Sequence, residues 1–220
     1  MFKNTKTFDI FSFLIPLGLT QFEQLKKFIL NKLRDELPAH LTYHNIDHTV
    51  DVVQAADLLA TAENITTADK GLLAAAALLH DTGFLTGRQN HEESSCNIAR
   101  YYLPGYGYSA AEIDIICSLI AATRLPQSPN SHLAEILCDA DLDYLGRDDF
   151  FILSERLFTE LQAEDIVKDE EEWNRQQADF IGEHRYFTET SKKLRQAKME
   201  EYTKEIKSKI SNEISNKHLS

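Results

Sequence analysis

The sequence predicts an all-α fold. No stretch alternates polar and apolar residues with a period of two, and apolar residues return every three or four positions. Glycine, proline and capping pairs punctuate these runs. About nine helices, counting short ones, account for the pattern. Pro16 and Gly18 suggest a turn into a first helix, with Thr20 and Glu23 as a capping pair and Phe22, Leu25, Ile29 and Leu33 inward before Pro38. A second helix over 45–60 places His48, Val52, Ala55 and Leu59 on one face and Asp47, Asp51 and Gln54 on the other. A third, over 67–80, carries Leu73, Ala76, Ala77 and His80 on one stripe, and its alanines let neighbouring backbones approach. Gly83 beyond it reads as a left-handed cap. His91 opens a fourth helix, with Asn90 and Glu93 as a capping pair and Ser95, Ile98 and Tyr102 at helical spacing. Ser109 with Glu112 announces the helix of Ile113, Ile116, Cys117 and Ile120, and Asp148 or Asp149 the one from Phe150 onward. Residues 168–172 read as a loop or helix start before Trp173. A final helix over about 191–216 sets Leu194, Tyr202, Ile206, Ile210 and Ile214 on a narrow apolar line. That line is expected to dock onto the domain; a homodimer through the C-terminal helix is the alternative, since a narrow seam suits a helix pair.

The chain divides into an N-terminal segment and helix (1–40) packing on the domain, a metal-binding core (41–146) and a C-terminal helical extension of the same domain (147–220). With 220 residues, 43% hydrophobic and 26% charged, it can bury one sizeable core. A net charge of −12 and a pI near 5.1 argue against binding long nucleic acid. A small anionic substrate remains compatible, because bound divalent ions dominate the local field. Cys96, Cys117 and Cys138 are odd in number and widely spaced among apolar neighbours, which fits reduced core thiols and a cytoplasmic setting. The apolar run from Ile10 to Leu19 is too short to span a bilayer and no small-residue cleavage pattern follows it, so neither membrane association nor export is expected.

The chemistry gathers in Tyr43-His44-Asn45-Ile46-Asp47-His48, His80-Asp81 and Cys138-Asp139-Ala140-Asp141. Imidazole and carboxylate suit borderline or hard divalent ions, and here they sit in apolar segments where an unpaired charge is costly. Glu135, Asp139 and Asp143 repeat every four residues as a polar stripe, whereas Asp141 follows Leu133 and Leu137 and is read as the inward carboxylate.

The order His48, His80-Asp81, Asp141 resembles the H…HD…D pattern of the HD-domain superfamily of metal-dependent phosphohydrolases, over roughly 41–146. Residues 43–52 are also similar to the tyrosine-histidine-asparagine opening of cyclic-nucleotide phosphodiesterases. The resemblance implies an HD helical bundle holding one or two divalent ions (Mn, Mg, Fe, Co, Ni or Zn) on His48, His80, Asp81 and Asp141. Asp81 is then catalytic and bridges the ions if both are present, and His91 is a candidate for the second position. It also implies that His44 protonates the leaving oxygen while a metal-activated hydroxide cleaves a small phosphorylated substrate, a nucleotide phosphodiester. Families with two well-filled metal positions place further histidines where this chain reads Ala121-Ala122-Thr123-Arg124. Arg124 cannot ligate a cation but can clamp phosphate, or else sits in the last turn of a helix. Arg185, in His184-Arg185-Tyr186-Phe187, is a second candidate for substrate contact, and Glu92 and Glu93 read as acids favoured by a helix start. Rival expectations are a nucleotide monoesterase or pyrophosphohydrolase, a nucleotide-sensing regulatory module, and a diiron oxygenase. Because histidines must be neutral to ligate, activity is expected to fall below about pH 6.

Overall fold

The computed structural model describes residues 17–217, with side chains from 21 to 212; the expectations for Met1 to Pro16, Thr20's cap and Ile214 lie outside those bounds. Among the described residues there is helix and no strand. The helices are α1 (Leu17–Glu36), α2 (Ile46–Ala62), α3 (Thr67–Leu79), α4 (His91–Tyr102), α5 (Ala110–Ala122), α6 (His132–Asp141), α7 (Phe150–Ala163), α8 (Glu170–Glu183), α9 (Glu189–Ser191) and α10 (Ala197–Lys217). Gly18 is already helical, so the turn expected there is absent. A π-helical turn over Lys192–Gln196 joins α9 to α10.

Local chemistry explains where the helices begin. Thr66 caps α3, Ser131 caps α6 and Asp169 caps α8, while Ser109 and Glu112 form the reciprocal capping box at α5. Two expected caps differ. Asn90 adopts a left-handed backbone (φ 54°) and makes no side-chain cap, and the carboxylate of Asp149 turns to Arg147 instead of its own helix.

The apolar faces form two clusters. The first gathers α1 to α6, with Leu25, Ile29, Val52, Leu59, Leu73, Leu78 and Ile116 almost fully buried and the alanines of α3 at the centre. The second lies where the C-terminal helices meet the end of α6, and joins Tyr43, Tyr144 and Phe150 to Ile181, Tyr186, Met199, Tyr202 and Ile206. The apolar line of α10 is therefore spent on this cluster and on α8, although Leu194 stays exposed. Cys96, Cys117 and Cys138 are buried free thiols. No helix among the described residues is long and apolar enough to cross a membrane.

The expected solvent stripe of α6 is corrected. Asp139 is fully buried and accepts from Phe187 N (2.8 Å), Thr188 N (2.8 Å) and Thr188 Oγ1 (2.7 Å); Asp143 is buried and takes a two-pronged bond from Arg195. These carboxylates face the strap before α9 and the π-helical turn after it, whose donors need acceptors once covered.

Candidate metal centre

The opening of α2 is built by its motif. Asn45 is the N-cap: its side-chain oxygen accepts from Asp47 N (2.8 Å) and His48 N (3.4 Å), and its Nδ2 donates to Thr42 O (2.8 Å). Tyr43 is buried, its ring 4.8 Å from those of both His44 and His48. His44 precedes the cap instead of riding on the helix, as four-residue spacing alone suggests, yet its ring lies 5.8 Å from that of His48.

His80 ends α3 and Asp81 follows it, so both leave the helix where its carbonyls run out. His80 Nδ1 faces Ala77 O at 2.8 Å. That hydrogen bond fixes the tautomer and leaves the lone pair on Nε2, as a ligating imidazole requires. His80 Nε2 lies 3.3 Å from His48 Nε2, and each is 3.3 Å from Asp141 Oδ1. Asp81 Oδ2 stands 3.4 Å from His48 and 3.3 Å from His80. His48, His80 and Asp141 thus offer donors within 4.8 Å of one another, a group able to hold a metal ion, with Asp81 alongside. The chemistry of the set fits: two nearly buried imidazoles facing two carboxylates, with no guanidinium or ammonium between them.

Without a cation, protons must fill that role. Burial works against charge on His48, but hydrogen bonds with Asp141 and Asp81 outweigh it and push its pKa up to about 9. His80 is raised well above its ordinary value on the same balance of burial against Asp81 and Asp141. Burial favours neutral Asp141, yet His48 and His80 hold it down to about 2.

His91 stands on the other side of Asp81, its Nε2 3.4 Å from Asp81 Oδ1 and 3.7 Å from Glu92 Oε1, while its Nδ1 faces Arg88 O at 3.0 Å. Asp81 therefore shows one oxygen to each side. Glu92 is buried with its carboxylate in the cleft, and so is more than a solvated acid at a helix start. Gly83 is no left-handed cap: it lies in a 3-10 turn (Thr82–Leu85), and a Cβ there would meet His91 O at 1.9 Å. Its missing side chain lets the first turn of α4 close over the site, and Ser95 Oγ ties the two by accepting from Gly83 N and donating to His80 O.

The cleft above these ligands has a volume of about 420 Å³ and is lined on its polar side by His44, Asp81, His91, Glu92, Arg124 and Asp141. Arg124 follows the end of α5, half exposed, its Nε 3.4 Å from Glu92 Oε2. Arg185 does not reach the cleft: its guanidinium donates to Gly182 O and His184 O, and it is exposed. Neighbouring Tyr186 is buried and donates to Leu142 O, so that segment braces the site from behind. The apolar side of the cleft comes from Leu142, Tyr144, Leu157, Leu161 and Phe180.

Sequence reasoning missed Glu160 on α7. It is fully buried, accepts from Tyr43 N (2.8 Å) and His44 N (2.9 Å), and is in hydrogen-bond contact with His44 Nδ1 and Arg88 Nη2. Burial disfavours its charge, but His44 and the two backbone donors bring its pKa down to about 2. A carboxylate bonded to Nδ1 orients the ring and leaves Nε2 to the cleft. The signal was present: Glu160 follows Leu153 and Leu157 at steps of four and three, an acid on an apolar face. Phe84, also unforeseen, is buried between the rings of His44 and His91, 4.3 Å from each, and fixes their separation.

Residues 45–143 match the family model of the HD domain. The chain is similar to the solved structure of a predicted HD superfamily hydrolase from an uncultured Thermotogales bacterium, at 22% identity and a TM-score of 0.57, over 84% of this chain and 91% of that one. It is also similar to Bacillus subtilis YpgQ, solved in complex with ADP, at 18% identity and a TM-score of 0.63, over 90% of this chain and 97% of that one. At such identities the likeness is one of fold. No curated protein matches the chain. The HD match stops at Asp143, so α7 and α8, which supply Glu160, Leu157, Leu161 and Phe180, lie beyond it.

Proposed function

We propose that this protein is a divalent-metal-dependent phosphohydrolase that cleaves a phosphodiester of a nucleotide. The observation that carries the reading is the meeting of His48 Nε2, His80 Nε2 and Asp141 Oδ1 beside Asp81, at the floor of a cleft that His44 also lines. A divalent ion held there supplies Lewis-acid polarisation of a phosphoryl oxygen and lowers the pKa of a water molecule to near neutrality. His91 and Glu92, across Asp81, are the residues that would hold a second ion.

His44 is the general acid. Its Nδ1 is committed to Glu160, so Nε2 is the atom that gives a proton to the departing oxygen. Arg124, beside Glu92 at the mouth, steadies the non-bridging oxygens. The apolar wall of Leu157, Leu161 and Phe180 excludes water from the far side and accepts a nucleoside base. A nucleotide monoesterase or pyrophosphohydrolase is the second reading, favoured by the ADP bound to YpgQ, which shares this fold.

Two variants test the assignment. Asp81→Ala is expected to lose both bound metal and turnover, whereas His44→Ala retains metal and slows turnover by about 10² to 10⁴-fold. Hydrolysis of bis-para-nitrophenyl phosphate and of the mono-ester, with metal content read in parallel, checks both. A metal-free, fully active Asp81→Ala protein rejects the scheme.

A further inference from the structure

The cleft holds few cations, and one of them is already taken. Among the described residues, Arg88 and Arg124 are the permanently cationic side chains that line it. Arg88 is clasped along one edge of its guanidinium: Nη2 donates to Glu160 on α7 and Nε to Glu164, the residue that caps it. Its plane rests over Phe84, 5.1 Å from the ring centre, so it has little freedom to turn toward a ligand. Arg124 is half exposed and held only by a 3.4 Å contact with Glu92. With one divalent ion bound the ligands add no surplus either, because the carboxylates of Asp81 and Asp141 cancel its charge. Beyond Arg124 the wall turns apolar, with Leu157, Leu161 and Phe180 in place of further donors.

Resting on the phosphohydrolase reading above, we propose that the cleft selects a substrate with a single phosphoryl group joined to a flat apolar moiety, and turns away nucleoside triphosphates. One guanidinium balances the single charge of a diester. The extra phosphates of a triphosphate would meet Glu92 or an apolar wall, with no free guanidinium to replace lost water. The clasp is therefore a specificity device: Glu160 and Glu164 neutralise, at the cleft wall, an arginine that a polyphosphate would need.

The test compares a cyclic nucleoside monophosphate with the triphosphate of the same nucleoside. It reads kcat/KM with manganese and, independently of turnover, calorimetric Kd values for their non-hydrolysable phosphorothioate and imido analogues. The expected preference for the diester is about 100-fold in both readouts. In Glu164→Gln, which loosens one arm of Arg88, and in Leu161→Lys, which adds an unpaired cation to the wall, it shrinks by about tenfold. A triphosphate preference or parity in the native protein, or an unchanged ratio in both variants, overturns the proposal while leaving the phosphohydrolase reading in place. No turnover of any phosphate ester with manganese, magnesium, cobalt or nickel overturns that reading, and the proposal with it.

Discussion

At the scale of the residue, His48 is buried among carboxylates and must carry either a proton or a cation. In the metal-free protein its pKa stands at about 9, against an ordinary value of 6.5. The ion-paired imidazolium therefore adds stability that is complete below about pH 6.5 and lost as pH rises through about 9. Metal binding demands the opposite state, so affinity must grow across that window as the proton becomes easier to displace. This moves the expected threshold upward from the value near 6 that an unperturbed histidine suggests. Calorimetric titration with manganese at several pH values should show proton release on binding and affinity rising from pH 6.5 to 9; a flat profile would contradict it.

Much of the residue-level chemistry was legible in the sequence. His48, His80, Asp81 and Asp141 sit on apolar stripes or directly follow them, and periodicity locates such positions without a structure. Asp139 was misread because periodicity tells one face from another but does not reveal what covers a polar face. Glu160 was missed because its partners lie 72 to 117 residues away in sequence. Arg185 was misplaced because a cation can satisfy itself on nearby carbonyls, and nothing local distinguishes that from reaching a substrate.

At the scale of the element, the strap from His184 to Ser191 ties the C-terminal helices to the end of α6. Asp139 gathers two backbone donors and one hydroxyl from it, and Tyr186 fills the space behind Leu142. Removing that carboxylate leaves buried N–H groups with no acceptor, each costing about 1–3 kcal/mol. Asp139→Ala is accordingly expected to destabilise the protein by about 3 kcal/mol and to slow turnover by loosening α6 just before Asp141. Urea unfolding together with a steady-state assay checks this, and a change within about 0.5 kcal/mol would show the strap to be dispensable. Helix positions were readable from capping pairs such as Ser109 with Glu112, but the short turns were not. Gly83 has an ordinary backbone and is required by the approach of His91, a tertiary constraint that leaves no local mark.

At the scale of the whole molecule, the acidic chain buries Asp139, Asp143 and Glu160 where the C-terminal helices pack on the rest of the chain. Burial, reinforced by Arg185, lowers His184 to about 4, so this histidine is neutral when folded and takes up a proton when unfolded. Glu160, against an ordinary value of 4.5, lies at about 2. Depressed values in both cases mean stability lost on acidification, from about pH 6.5 toward 4 through His184 and from about 4.5 toward 2 through Glu160. Thermal melts from pH 6 to pH 3, below the window in which His48 titrates, are expected to show a continuous fall in Tm, with His184→Phe flattening the upper part; an unchanged Tm from pH 6 to pH 4 would contradict this.

The central claim is that side chains from α2, α6 and the end of α3 converge on one cation, and a manganese-soaked crystal tests it most directly. The anomalous difference map should hold a peak among His48 Nε2, His80 Nε2, Asp141 and Asp81, and none in a His80→Ala crystal. A map without density there, in a crystal of the native chain soaked above neutral pH, would contradict the account.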